Sequence, residues 1–221
     1  MNLEQARFNM VEQQIRTWDV LDQDILGLLY TVKREEFVPA AYRDIAFCDV
    51  EIPLRPGAEP CEHMWAPKFE ARILQELSVR KTDKVLEVGT GSGYFAALLA
   101  HRAQTVRSIE LNPALASLGR ENLARAGVDN VVVEQGDASR GWAGKGPYDI
   151  VVFTSSLPVL PAGILSQLNP GGRLFAVIGD PPVMAARLVT LSSEGSHVDR
   201  DLFETCTAPL KNAVQPQRFH F

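Results

Sequence analysis

Val85-Leu-Glu-Val-Gly-Thr-Gly-Ser-Gly-Tyr94 decides how the rest of the chain is read. Val85 to Val88 is short, apolar and β-branched, and it is bounded by Lys84 and a glycine cluster, the pattern of a buried strand. Phe95 to His101 reads as the start of a helix. The glycines therefore sit where a strand turns sharply into a helix, a place that needs unusual backbone dihedrals or a close approach to a ligand. Amides at the start of that helix face whatever is bound there.

Dinucleotide-binding folds also place glycines after their first strand. Counted from Gly89 through Gly91, that fingerprint requires glycine at position 94, where this chain has Tyr94. The spacing Glu87-x-Gly89-x-Gly91-x-Gly93 instead resembles motif I of class I S-adenosyl-L-methionine methyltransferases. The resemblance implies a cofactor cradle made by Glu87, Gly89, Thr90, Gly91, Ser92 and Gly93.

Outward from this turn, strand and helix patterns alternate. Strands are expected at Lys84–Val88, Thr105–Glu110, Val131–Gln135, Ile150–Thr154 and Arg173–Ile178. Helices are expected near Phe95–Ala103, Pro113–Ala126 and Ala162–Leu168. Such alternation predicts an α/β fold with a doubly wound, mostly parallel, Rossmann-like sheet. Arg187–Leu191 and Asp201–Phe203 read as added C-terminal strands, and Gln215–Phe221 as an extended end. Asn169-Pro-Gly-Gly172 reads as a turn.

Before the core, residues 3–16 place Leu3, Phe8, Met10, Val11 and Ile15 at helical spacing. A second helix runs near Asp22–Val32, capped by Asp19 or Asp22. Pro39, Pro53, Pro56, Pro60 and Pro67 then break any long element, leaving an irregular stretch of the kind that forms lids and binding loops. From Lys68 a helix resumes, with Phe69, Ile73, Leu74 and Leu77 on one face.

At 221 residues the chain reads as one domain: a helical and loop region over 1–82, a cofactor-binding core over 83–180 and C-terminal strands over 181–221. A net charge of −5 speaks against a nucleic-acid surface as the main function. No apolar run is long enough to span a bilayer, so no membrane association is expected. The N-terminus lacks signal-peptide blocks. Cys48, Cys61 and Cys206 are odd in number and scattered, which suits a reducing cytoplasm. Cys61, Glu62 and His63 lack a second ligand pair at metal-binding spacing, and no metal is expected.

The strand ends supply further candidates. Glu110, followed by Leu111, ends the second strand 23 residues after Glu87, where an acidic side chain accepts hydrogen bonds from ribose hydroxyls. Asp137 and Ala138 follow the third strand, placed for an adenine amino group and ring. Phe153-Thr154-Ser155-Ser156 ends the fourth, with Thr154 on the floor beside a transferred methyl group.

Together with Glu36-Phe-Val-Pro39, Ala41-Tyr-Arg-Asp44, Glu51-Ile-Pro-Leu54 and Gln167-Leu-x-Pro-Gly-Gly172, these motifs resemble the protein-L-isoaspartate O-methyltransferase family over roughly residues 10–178. The resemblance implies S-adenosyl-L-methionine as cofactor and methyl esterification of isoaspartyl carboxyls in damaged proteins or peptides; it leaves monomer or dimer open. The family carries a Thr-Ile-Ser-Gln-Pro loop where this chain has His63-Met-Trp-Ala-Pro67. Trp65 thus stands in the place of a serine near donor and acceptor, and His63 in the place of a threonine. These two are the candidate catalytic residues, and weak isoaspartyl turnover is expected from the larger side chain. The alternatives are a methyltransferase for another acceptor and a catalytically weak, S-adenosyl-L-methionine-binding regulatory protein.

Overall fold

The computed structural model describes residues 2–216. Its centre is a seven-stranded sheet made of β3 (Lys84–Val88), β4 (Thr105–Glu110), β5 (Val131–Gln135), β6 (Tyr148–Phe153), β7 (Leu168–Asp180), β8 (Val183–Leu191) and β9 (His197–Glu204). The order is β5-β4-β3-β6-β7-β8-β9; the first five are parallel and the last two add antiparallel. A two-stranded ribbon, β1 (Ile52–Pro53) against β2 (His63–Met64), lies outside it. In β3, the middle one of the five parallel strands, Val85 to Val88 are buried, as a strand covered on both faces requires.

Alternating side chains feed two cores. Val85 and Val106 face the larger one, with α4 (Tyr94–Arg102), α3 (Pro67–Leu77) and the N-terminal helices. Leu86, Val88 and Ile109 face the other, with Leu157, Ile164 and Leu168. The switch in winding direction falls at β3 and β6, where open α/β sheets leave a crevice at their carboxyl ends.

The expected helix over Ala162–Leu168 is only a 3₁₀ turn, Ile164–Gln167, and Leu168 already belongs to β7. Asn169–Gly172, expected as a turn, lies inside β7 as an irregularity. Partners step from Tyr148↔Leu168 to Ile150↔Arg173, so extra residues are absorbed without ending the strand. α5 (Pro113–Arg125) is capped by Asn112, whose side chain accepts from the Ala114 amide. In α2 (Gln23–Thr31) the cap is Asp22, accepting from the Asp24 and Ile25 amides. In the first helical segment, α1 (Leu3–Asn9) continuing through a π-helical turn, Met10, Val11 and Ile15 are buried, while Leu3 and Phe8 are exposed. Residues 217–221 of the expected extended end lie outside the described residues.

Candidate active site

β3 ends in a turn built on backbone geometry. Gly89 has φ +99°, and a Cβ there meets Thr154 Oγ1 at 2.1 Å. That oxygen cannot retreat easily, since the Thr154 hydroxyl donates to the Val88 and Gly89 carbonyls at 2.9 Å each. Thr154 closes β6 and also donates its amide to Val88 at 3.0 Å. The ends of β3 and β6 are thereby locked side by side.

A cavity of about 290 Å³ opens above this turn. Gly89, Thr90, Gly91, Ser92, Glu110, Leu111, Asp137, Ala138 and Thr154 line it, as do His63 and Trp65. Sequence positions that are far apart thus converge on one space. Glu87 and Gly93, expected in the cradle, are not among the residues that line it. Strand alternation turns Glu87 to the helix-covered face, where it is fully buried and accepts from the Ser108 hydroxyl. Gly93 faces α5, with the Gly119 carbonyl 3.0 Å from where its Cβ would stand.

The carboxylates are held in different ways. Glu110 accepts from the Gly91 amide at 2.9 Å and the Asn112 amide at 3.0 Å, so it fastens the glycine loop to the end of β4. Asp137 accepts from the Ser139 amide at 2.9 Å and the Asn212 side chain at 2.8 Å. Burial alone would raise Asp137, but the bonds from Ser139 and Asn212 outweigh it and hold the carboxyl below its ordinary range. Burial pushes Glu87 up to about 8; the Ser108 bond opposes this, and Glu110 and Glu70 add to it.

The acceptor side comes from the proline-broken stretch. Trp65 is buried with its ring edge-on to Phe69 at 4.9 Å and Phe95 at 5.7 Å. Its carbonyl accepts from Arg34 at 2.6 Å. His63 places Nδ1 3.9 Å from Glu51 Oε2. Cys61, His63, Trp65, Thr154 and Ser155 share one side of the cavity lining. Among the described residues, no group of three or more His, Cys, Asp or Glu side chains is placed to hold a metal.

Several lining residues were not singled out as binding residues in the sequence. Glu62 is buried, salt-bridged to Arg55 at 2.5 Å and bonded by Asn112 at 2.8 Å. Burial works to raise its carboxyl, yet the Glu59 amide, Asn112 and Arg55 together lower it. Glu70, Leu210 and Lys211 also line the cavity. Lys211 bonds Glu59 at 2.9 Å and lies 3.7 Å from Glu62. Capping pattern marks Asn112 in the sequence; nothing local marks Leu210 or Lys211, which arrive from a tail about 75 residues beyond Asp137.

The residues present fit S-adenosyl-L-methionine. Gly89 and Gly91 turn the chain at positive φ beside the cavity, and the strand-end carboxylates Glu110 on β4 and Asp137 just after β5 line it. Fold and site together define a class I S-adenosyl-L-methionine-dependent methyltransferase. Residues 5–215 match the family model for protein-L-isoaspartate(D-aspartate) O-methyltransferase. A protein-L-isoaspartate O-methyltransferase of Methanoculleus marisnigri is 38% identical over 205 residues, covering 92% of this chain and 90% of the relative. One from Koribacter versatilis is 35% identical over 200 residues, covering 90% and 87%. The fold matches a crystal structure described as the Plasmodium falciparum protein-L-isoaspartate O-methyltransferase with S-adenosyl-L-homocysteine; the TM-score is 0.77 at 20% identity, covering 92% of this chain and 97% of that one. The chain belongs to the protein-L-isoaspartate(D-aspartate) O-methyltransferase family.

Proposed function

We propose that this protein transfers the methyl group of S-adenosyl-L-methionine to the carboxyl of isoaspartyl residues in damaged proteins or peptides. The carrying observation is a single cavity in which strand-end carboxylates Glu110 and Asp137 share the lining with His63, Trp65, Thr154 and Ser155. Family membership supplies the acceptor class. The relatives' names give no support to a different acceptor or to a regulatory role without catalysis.

In this reading Glu110 accepts from the ribose hydroxyls and Asp137 with Ala138 flanks the adenine. Gly89 to Ser92 lie against the methionyl part. When bound, the cofactor supplies an electrophilic methyl group. The acceptor needs no general base, because a carboxylic acid of pKa about 4 is already ionised near neutrality. What the chain must do is orient that carboxylate and exclude water. Trp65 and Phe95 form the apolar wall. Ser155, buried on the same side of the cavity lining as Trp65, offers a hydroxyl to the incoming carboxylate in place of the serine that Trp65 displaces. Trp65 is anchored inward, so we expect turnover below that of a serine-bearing relative.

The chain functions as one domain in the cytoplasm in this reading. The scattered free cysteines Cys48, Cys61 and Cys206 accord with a reducing compartment. Methyl transfer from labelled S-adenosyl-L-methionine to an isoaspartyl peptide, with the aspartyl peptide as control, tests the function. Base-labile label on the isoaspartyl peptide alone is expected; label on neither peptide, or equally on both, overturns the reading.

A further inference from the structure

Glu70 lies in the first turn of α3, beside the apolar residues Phe69, Ile73 and Leu74. It is 2% exposed, yet it lines the cavity. A glutamate so deep requires a partner, and Oε2 has one, the fully buried Arg34. Arg34 is itself fixed: it donates to the Ala46 carbonyl at 2.9 Å and the Trp65 carbonyl at 2.6 Å, and its guanidinium lies 5.1 Å from the Tyr94 ring centre. Glu70 is therefore held in one position by a group that cannot follow it into solvent.

Charge on this side of the glycine loop is unbalanced. Glu70 and Glu110 both line the cavity, and Arg34 is the one cation bonded to either among the described residues. Burial pushes Glu70 up to about 7 despite Arg34, a sign of how little this corner solvates a carboxylate. A positive group delivered by a ligand offsets the charge of a carboxylate that water does not reach.

The sheet order says which part of the ligand arrives there. Asp137 follows β5, Glu110 ends β4 and Gly89 follows β3, in the order β5-β4-β3. With the adenosine over the first two, the methionyl part extends past the glycine loop towards Trp65, Phe95 and Glu70. Resting on the cofactor reading above, we propose that the Glu70 carboxylate, positioned by Arg34, recognises the α-amino group of the cofactor's methionyl part. The methionyl carboxylate would be repelled at this position, so the ammonium is the group that Glu70 selects.

Calorimetric titration of the whole protein with three probes tests this. The probes are S-adenosyl-L-homocysteine, the S-adenosyl thioether of 4-mercaptobutyrate, which lacks only the amine, and 5′-methylthioadenosine, which lacks the whole amino-acid part. Wild type should bind the deaminated thioether at least about tenfold more weakly than S-adenosyl-L-homocysteine, the effect of one lost charged hydrogen bond. Glu70→Gln, which retains an acceptor for Arg34, should lose about tenfold for S-adenosyl-L-homocysteine and stay within about twofold for 5′-methylthioadenosine. That last probe also reports whether the variant is folded. Equal wild-type affinity for the amine-bearing and deaminated probes overturns the proposal, and that comparison stands even if the variant does not fold. A folded Glu70→Gln that binds S-adenosyl-L-homocysteine like wild type overturns it too. No binding of any probe to wild type would instead overturn the cofactor reading beneath it.

Discussion

Glu110 and Asp137, proposed above to hold the nucleoside, have both oxygens occupied: by the Gly91 and Asn112 amides in one case, by Ser139 and Asn212 in the other. Glu70 and Glu87, across the glycine loop, are nearly or fully buried; Glu70 is bonded by Arg34, and Glu87 Oε1 has no hydrogen-bond partner among the described residues. The first pair uses strand-end backbone amides, which any parallel sheet supplies at its carboxyl edge. The second pair depends on side chains brought from α3, from the 33–66 stretch and from neighbouring strands. One end is thus satisfied by hydrogen bonds before ligand arrives, while the other holds carboxyls in surroundings that solvate charge poorly, and of these only Glu70 reaches the cavity.

The comparison breaks most visibly at the turn that joins the two ends. Gly89→Ala places a Cβ against the pinned Thr154 hydroxyl at a positive φ, and binding of S-adenosyl-L-homocysteine should fall more than about 100-fold by calorimetry. Affinity within a few-fold of wild type would mean the turn does not shape the site.

A smaller effect separates the buried end from the satisfied one by pH. The folded Glu87 carboxyl, at about 8, keeps its proton where the unfolded one, near 4.5, has lost it. Stability therefore falls as pH rises from about 4.5 to about 8. Urea unfolding should show wild type losing roughly 2–5 kcal/mol more than Glu87→Gln between pH 5 and pH 9. Parallel pH profiles would remove Glu87 from the account.

At the nucleoside end, Glu110→Ala should weaken cofactor binding by about 1.5–3 kcal/mol, the scale of hydrogen bonds to a charged group. An unchanged dissociation constant rejects the ribose assignment. The smallest expected effect is at the rim. Lys211→Ala removes partly exposed ion pairs with Glu59 and Glu62 and should change unfolding free energy by less than about 1 kcal/mol. A larger loss would make the tail segment structural rather than peripheral.

How far the sequence could be read follows the same division. The bounds of β3, β4 and β5 follow from β-branched runs closed by turn residues, and Glu110, Asp137 and Thr154 lie at or next to strand ends, where period and spacing point. Trp65 and His63 came into view through family resemblance, because a proline-broken loop has no period of its own. Glu70 sat unnoticed in α3, where helical pattern reading scores apolar positions and passes over a glutamate on the buried side. Glu87 was placed in the cradle by its spacing, yet strand alternation turns it to the opposite face from Leu86 and Val88. The 162–168 segment mimics a helix in composition, but Leu168 is claimed by pairing with Tyr148. Tertiary partners, not local preference, decide such short segments.

A crystal structure of the protein with S-adenosyl-L-homocysteine tests the central claim most directly. The account predicts the ligand in the cavity above Gly89, its ribose hydroxyls on the Glu110 carboxylate, its adenine beside Asp137 and Ala138, and its sulfur facing the junction of Trp65, Thr154 and Ser155. Ligand density elsewhere, or a ribose that makes no contact with Glu110, would contradict it.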